Sequence, residues 1–296
     1  MNQHAVLPKP EKFSSNYRLQ QVLSRILLYL CIAVFLFIVL LPFYWILMSS
    51  FTPRYQMFSI PPRWFPAALT LENYVKLTQN IPFFRYYLNS LSFAFFSAAV
   101  SVVLSFLASY ALARIRFPGS NLVFIIFIVS IAIPQVGTLV PLFEMFNKLG
   151  LINSRFGMVL LMASLITPFT VWTMVTFIQQ IPEEIEEAAR IDGASMVQLL
   201  WHIVVPVMTP ALATMMIINF IISWNELLYP LVFATSSETK TLSVGLVELA
   251  VDPSMGAGRP WDLMSALSVT MIVPVLLLVL VFQRLIVSGL TKGAIK

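Results

Sequence analysis

Residues 179–206 read QQIPEEIEEAARIDGASMVQLLWHIVVP and lie between two long apolar runs. Pro182 suits a first helical position, where its missing N–H has no intrahelical partner to lose. Glu183, Glu184 and Glu186 follow near the positive end of the helix dipole, where carboxylates are stabilised. Ala188 and Ala189 propagate the helix, and Gly193 suits its end because it adopts a left-handed conformation without strain. Ser195 is then placed to cap a second amphipathic helix running toward Pro206. The stretch predicts two short helices joined by a sharp turn, with a small-residue patch at Ala188 and Ala189. Small side chains let another protein's backbone approach closely, and the acidic residues beside them suit basic partners. On the residues alone, a docking element and a solvated interhelical loop both remain open.

The flanks of this stretch decide the class of protein. Six runs, at about 26–51, 86–112, 121–142, 156–178, 207–233 and 263–283, are long enough to cross a hydrocarbon core of ~30 Å. Charged side chains are nearly absent inside them, and Glu226 is the clear exception. The chain has 296 residues, of which 59% are hydrophobic and 10% charged. Soluble domains carry about 25% charged residues, so most of this surface faces lipid. Pro42, Pro134, Pro168, Pro210, Pro230 and Pro274 lie within the runs. Neighbouring helices can satisfy the carbonyls that prolines free, so kinked helices are expected.

Composition also excludes several functions. The net charge is +5, but the basic residues are scattered in ones and twos, which argues against a nucleic-acid surface. The single cysteine, Cys31, rules out an intramolecular disulfide framework. The first apolar run is too long for a signal-peptide core and lacks a small-residue cleavage site, so it reads as a retained span. No second His or Cys lies near His202 to make a metal site, and the loops hold no nucleophile–base set. No catalytic residue and no metal ligand is expected.

The chain reads as one domain without an internal repeat. Residues 1–25 form a cytoplasmic tail, 26–285 a six-helix membrane domain containing the 179–206 loop, and 286–296 a second cytoplasmic tail. With both termini inside, ten Lys and Arg lie on the inner side against eight outside, which agrees weakly with the positive-inside rule. In the second run Ser97, Ser101, Ser105 and Ser109 recur every four residues beside Ala94, Ala98 and Ala108. This stripe suits close helix packing, although a polar pathway lining is a second reading. Glu226, in the sequence Trp224–Asn225–Glu226, is a candidate gate or pathway residue, since acids at membrane depth usually face a bundle interior or water. Its alternative is an acid at the end of a span that simply reaches water. Trp45, Tyr87, Trp172 and Trp261 fit interfacial belts.

Glu187-Ala188-Ala189, Gly193 four positions on, then Ile203 and Pro206 resemble the EAA motif of ABC-importer membrane subunits, with Val205 in place of the usual Leu. The likeness extends along the chain. LENY (71–74), ASYALARIRFPG (108–119), PLFEMFNKLGLINS (141–154), WNELLYPLVF (224–233) and LTKGAIK (290–296) are similar to MalG-like, maltose-type carbohydrate permease subunits. That resemblance implies an all-α membrane protein of six transmembrane helices, with the type I, MetI-like importer architecture. It also implies that Glu183, Glu184, Glu187, Ala188, Ala189, Asp192 and Gly193 form a coupling helix seated in a cleft of a cytoplasmic ATPase subunit. Lys292, Gly293 and Lys296 would reach along the ATPase pair.

The partners implied are a second, MalF-like permease, two ATPase subunits and an extracytoplasmic sugar-binding protein, all at the cytoplasmic (inner) membrane of a bacterium or archaeon. ATP and magnesium would sit on the ATPase subunits; this chain binds no cofactor of its own and has no GxxxxGK[ST] run. The competing reading is a secondary transporter driven by an ion gradient. Such proteins usually show internal repeats and several intramembrane ionisable groups, whereas this chain shows no repeat and one acid.

Overall fold

The computed structural model describes residues 15–61, 63–252 and 259–292. Among these the structure is helical. A long first helix, α1 (Ser15–Ser50), leads to two short ones, α2 (Arg54–Met57) and α3 (Glu72–Asn80). Next come α4 (Phe83–Arg114), α5 (Ser120–Ile131), α6 (Gln135–Lys148) and α7 (Arg155–Ile178). The informative stretch forms α8 (Glu183–Ile191) and α9 (Met196–Leu199), and α9 passes through a π-helical turn at Leu200–Val204 into α10 (Val205–Trp224). Then follow α11 (Leu228–Phe233), α12 (Leu242–Val251) and α13 (Trp261–Lys292).

The serine stripe of α4 is a packing face. Ser97, Ser101, Ser105 and Ser109 are fully buried against α7, while Ala94 and Ala98 are buried beside them in the cluster that includes Phe220 and Ala266. Ser97, Ser105 and Ser109 donate to the carbonyls of Val159, Thr167 and Val171 at 3.5, 3.4 and 3.0 Å. The partners advance in the same direction as the serines, so α4 and α7 run parallel. Small side chains bring the two backbones close, and the hydroxyls find acceptors where lipid offers none. Asn219 of α10 joins this seam by donating to Thr170 at 2.9 Å and to Ser101 at 3.4 Å, all three side chains being fully buried.

Parallel α4 and α7 require a return crossing between them, and this is where the structure departs from the sequence reading. The expected span at 121–142 is broken. Helices α5 and α6 meet at a bend of 106° across residues 132–134. Pro134 has no N–H to continue the α5 ladder and its ring crowds the preceding turn, so the chain restarts a helix at Gln135. Helix α5, with 12 residues, covers only about 18 Å at 1.5 Å per residue. The pair therefore makes one bent crossing.

The fifth run is also divided. Helix α10 ends at Trp224, and α11 begins at Leu228. Pro230 in a continuous helix would clash with the carbonyl of Glu226, four residues earlier. Helices reach into both stretches that the sequence assigns to tails. Residues 15–25, assigned to a tail, belong to α1, and residues 286–292 extend α13.

Connectivity sets the sides. The C-terminal end of α1 and the start of α13 share a cavity of about 800 Å³ lined by Trp45, Arg63, Trp64, Trp261 and Ser265, so these two helices run antiparallel. The described chain therefore begins and ends on the side that carries α8 and α9, which is called the inner side of the bundle and its opposite the outer side. Three buried clusters hold the bundle. One joins the outer ends of α4, α10, α12 and α13 around Tyr86, Phe220 and Leu267. Another joins α8 and α9 to the near ends of α4, α7 and α10 around Tyr110, Met174, Leu199 and Met208. The third ties α6, α7 and α11 through Phe146, Leu161 and Phe233.

Candidate functional site

The local signals in residues 179–206 produce the expected geometry. Helix α8 starts immediately after Pro182, which takes the N-cap position, one residue before the expected one. Gly193 has φ of +84°. Its N–H donates to the carbonyl of Arg190 at 3.1 Å, and that of Ala194 donates to Ala189 at 3.0 Å. This pair of bonds is the Schellman arrangement, which satisfies carbonyls left open at a helix end. Ser195 then caps α9: the N–H of Gln198 donates to Ser195 Oγ at 3.4 Å. In return the N–H of Ser195 donates to Gln198 Oε1 at 2.8 Å. The sequence reading gave only the serine half of this capping box, although the S-x-x-Q spacing was present.

One residue of the expected docking set is misplaced. Ala189 is 7% exposed and packs into the inner cluster with Tyr110 and Ile178, so its side chain is not available to a partner. A helical turn of about 100° per residue separates neighbours on the helix surface, and the Ala188–Ala189 pair is split by it. Ala188 faces outward with Glu183, Glu184, Glu187, Asp192 and Gly193. Ile185 (43% exposed), Ile191 (86%) and Val197 (65%) lie exposed around the same turn. The result is a projecting knuckle of exposed apolar and acidic side chains.

The knuckle is anchored by residues that the sequence reading did not select. Glu186, assigned to the helix dipole alone, is 3% exposed. Its Oε1 meets Arg114 Nε at 2.8 Å, and its Oε2 accepts from Tyr110 Oη at 2.7 Å. Arg114 Nη2 also donates to the carbonyls of Ile178 and Ile181, at 2.9 and 2.6 Å. One guanidinium thus joins the inner ends of α4 and α7 to the first turn of α8. Its neighbour Glu183 lies at 3.5 Å from Nη1 but is largely exposed. No sequence signal links positions 72 residues apart; only the fold brings them together.

The proposed gate residues have separate tasks. Trp224 does not face a pathway within this chain: it is 3% exposed, stacks on Phe220 and donates Nε1–H to the carbonyl of Met271 at 3.1 Å. Glu226 Oε1 accepts from the N–H groups of Leu228 and Tyr229 at 2.8 and 3.2 Å, which caps the first turn of α11. Asn225 is exposed, and its amide donates to the carbonyl of Ile221. In the expected ATPase-contacting tail, Lys292 ends α13, while Gly293 and Lys296 lie outside the described residues. Among the described residues, no group of three His, Cys, Asp or Glu side chains converges as metal ligands.

Residues 101–292 match the family model described as "Binding-protein-dependent transport system inner membrane component". The chain belongs to this family. The match contains the knuckle, its anchor and the serine seam from Ser101 onward, and it confirms the family that the EAA-like motif suggested. The permease is 34% identical to the inner membrane ABC transporter permease protein YcjP of Escherichia coli, over 94% of this chain and 98% of that protein. It is 33% identical to the trehalose/maltose transport system permease protein MalG of Thermococcus litoralis, over 94% and 99%. The sulfoquinovosyl glycerol transport system permease protein SmoH of Agrobacterium fabrum is 36% identical, over 87% and 89%. In fold the permease is similar to a chain in the crystal structure of a bacterial ABC transporter involved in alginate import, with a TM-score of 0.77 at 24% identity, covering 92% of this chain and 98% of that one. The all-α, multi-pass importer architecture is therefore established.

Proposed function

We propose that this permease forms half of the membrane channel of an ATP-driven importer for a sugar or oligosaccharide. An extracytoplasmic binding protein delivers the substrate, a second MalF-like permease completes the channel, and two ATPase subunits carry ATP and magnesium. The observation that carries this reading is the knuckle at α8–α9. Its exposed isoleucines are unfavourable in water, and its acids surround them, which suits a cleft with an apolar floor and basic rim. From that knuckle the helix is continuous through the π turn into α10, so displacement of α9 is displacement of a membrane span.

Within this reading Glu183, Glu184, Glu187, Ala188, Asp192 and Gly193 meet the ATPase, and residues 292–296 reach along it. The side carrying the knuckle, and with it both termini, is cytoplasmic. Carbohydrate as the cargo is supported by relatives whose names specify trehalose/maltose, sulfoquinovosyl glycerol, diacetylchitobiose and arabinooligosaccharides. The ion-driven alternative finds no support: the family is a binding-protein-dependent one, and the carboxylate of Glu226 is occupied with backbone N–H groups.

Mild-detergent purification of the tagged chain from its native cell tests the proposal. One second permease and two ATPase copies are expected, with hydrolysis stimulated by a sugar-loaded binding protein. A chain that purifies alone and transports in vesicles without ATP overturns it.

A further inference from the structure

Helix α4 holds the exposed α8 at one end and the segment 238–248 at the other. At the inner end Tyr110 and Arg114, one helical turn apart, take both oxygens of Glu186. At the outer end Asn89 donates to the carbonyls of Glu238 and Lys240, each at 3.0 Å. Ser90 Oγ accepts from the N–H of Leu242 at 2.8 Å, and Tyr86 Oη donates to Glu248 at 3.0 Å. The whole helix has 32 residues with no proline, unlike α1, α6, α7, α10 and α13, each of which contains at least one. Its middle is locked to α7 by the buried serines.

From this geometry we propose that α4 is the transmission rod of the importer, with Arg114 as the positioning residue that attaches it to the coupling helix. An ATPase-driven shift of α8 displaces Glu186, which carries Arg114 and Tyr110 with it. The unbroken helix then moves the segment 238–248 at the far face as part of the same body. Proline-containing helices bend or yield at the missing hydrogen bond, and α4 has no such point. Arg114 itself touches neither substrate nor nucleotide. This inference rests on the coupling role assigned to α8 above.

The test uses the complete importer, with its partner permease, ATPase subunits and binding protein, reconstituted in liposomes. Uptake and ATP hydrolysis are measured per assembled complex, with and without sugar-loaded binding protein. For Arg114→Gln, stimulation of hydrolysis by the binding protein is expected to fall toward none and uptake to fall at least tenfold. Tyr110→Phe removes one hydroxyl, leaves the ion pair in place, and is expected to lower the stimulated-to-basal ratio two- to fivefold. The double exchange Arg114→Glu with Glu186→Arg is expected to recover part of the uptake lost in either single exchange.

A purely structural role would reduce the amount of assembled complex and leave the stimulation ratio per complex unchanged. An unchanged ratio in Tyr110→Phe, or in Arg114→Gln where that variant assembles, therefore overturns the proposal. If Arg114→Gln does not assemble, Tyr110→Phe decides alone. A wild-type complex without ATP-coupled uptake removes the importer reading itself, whereas a coupled wild type with indifferent variants removes only the rod.

Discussion

The two ends of α4 hold their neighbours at nearly the same distance by chemistry of different weight. At the inner end Arg114 and Glu186 meet at 2.8 Å, with side chains only 6% and 4% exposed. At the outer end Arg85 and Glu238 meet at 2.9 Å, but their side chains are 50% and 68% exposed. Water screens the outer pair and competes for it. The inner pair has no such alternative, so each charge depends on the other and on the surrounding hydrogen bonds. The outer end adds neutral bonds: Asn89 donates to two part-buried carbonyls, and Ser90 Oγ accepts from the buried N–H of Leu242. The lesson is that distance identifies a contact, while burial decides what its loss would cost.

That contrast makes graded predictions. Arg114→Ala strands the buried carboxylate of Glu186 and is expected to destabilise the chain by about 3–5 kcal/mol, read as a fall in the unfolding midpoint in detergent. A loss below about 1 kcal/mol would place the inner pair on a level with the outer one. Asn89→Ala removes the side-chain donor to the carbonyl of Lys240, while that of Glu238 keeps Arg155, and is expected to cost about 1–3 kcal/mol. The same midpoint measures it, and no change would mean that the outer end is not held by these bonds.

Gly193→Val forces a β-branched side chain into φ of +84°, although space for the added atoms is open. An L residue there costs roughly 1–2 kcal/mol, so the protein is expected to insert and fold while the α8–α9 turn distorts. ATP-driven uptake should fall more than stability does, and normal uptake would separate the knuckle's shape from coupling. Arg85→Ala is expected to cost less than about 1 kcal/mol. A larger loss in detergent, insensitive to added salt, would show that the outer pair is shielded in a way its exposure does not suggest.

The candidate site was legible in part. Pro182, Gly193 and Ser195 act on backbone groups a few residues away, so the helix–turn–helix could be read directly from their order. The inward turn of Ala189 was not legible, because an alanine carries no sign of which face of a short helix is covered. Glu226 shows the same limit. Its charge marked it as unusual at membrane depth, but whether it faces a pathway or caps α11 depends on where Pro230 interrupts the helix.

The sequence by itself determined the membrane class, the long apolar runs, the serine face of α4 and the local turn that shapes the knuckle. Each depends on composition or on spacing within one or two helical turns. Tertiary structure alone decided that Pro134 breaks a crossing by 106°, while Pro168 stays within α7 and Pro210 within α10. A proline frees one carbonyl, and neighbouring helices determine whether the helix survives. Tertiary structure also decided that Glu186, one acid among several in α8, is the buried one. Its partner is 72 residues away, and only packing α4 beside α7 brings the guanidinium to a place where water cannot replace it.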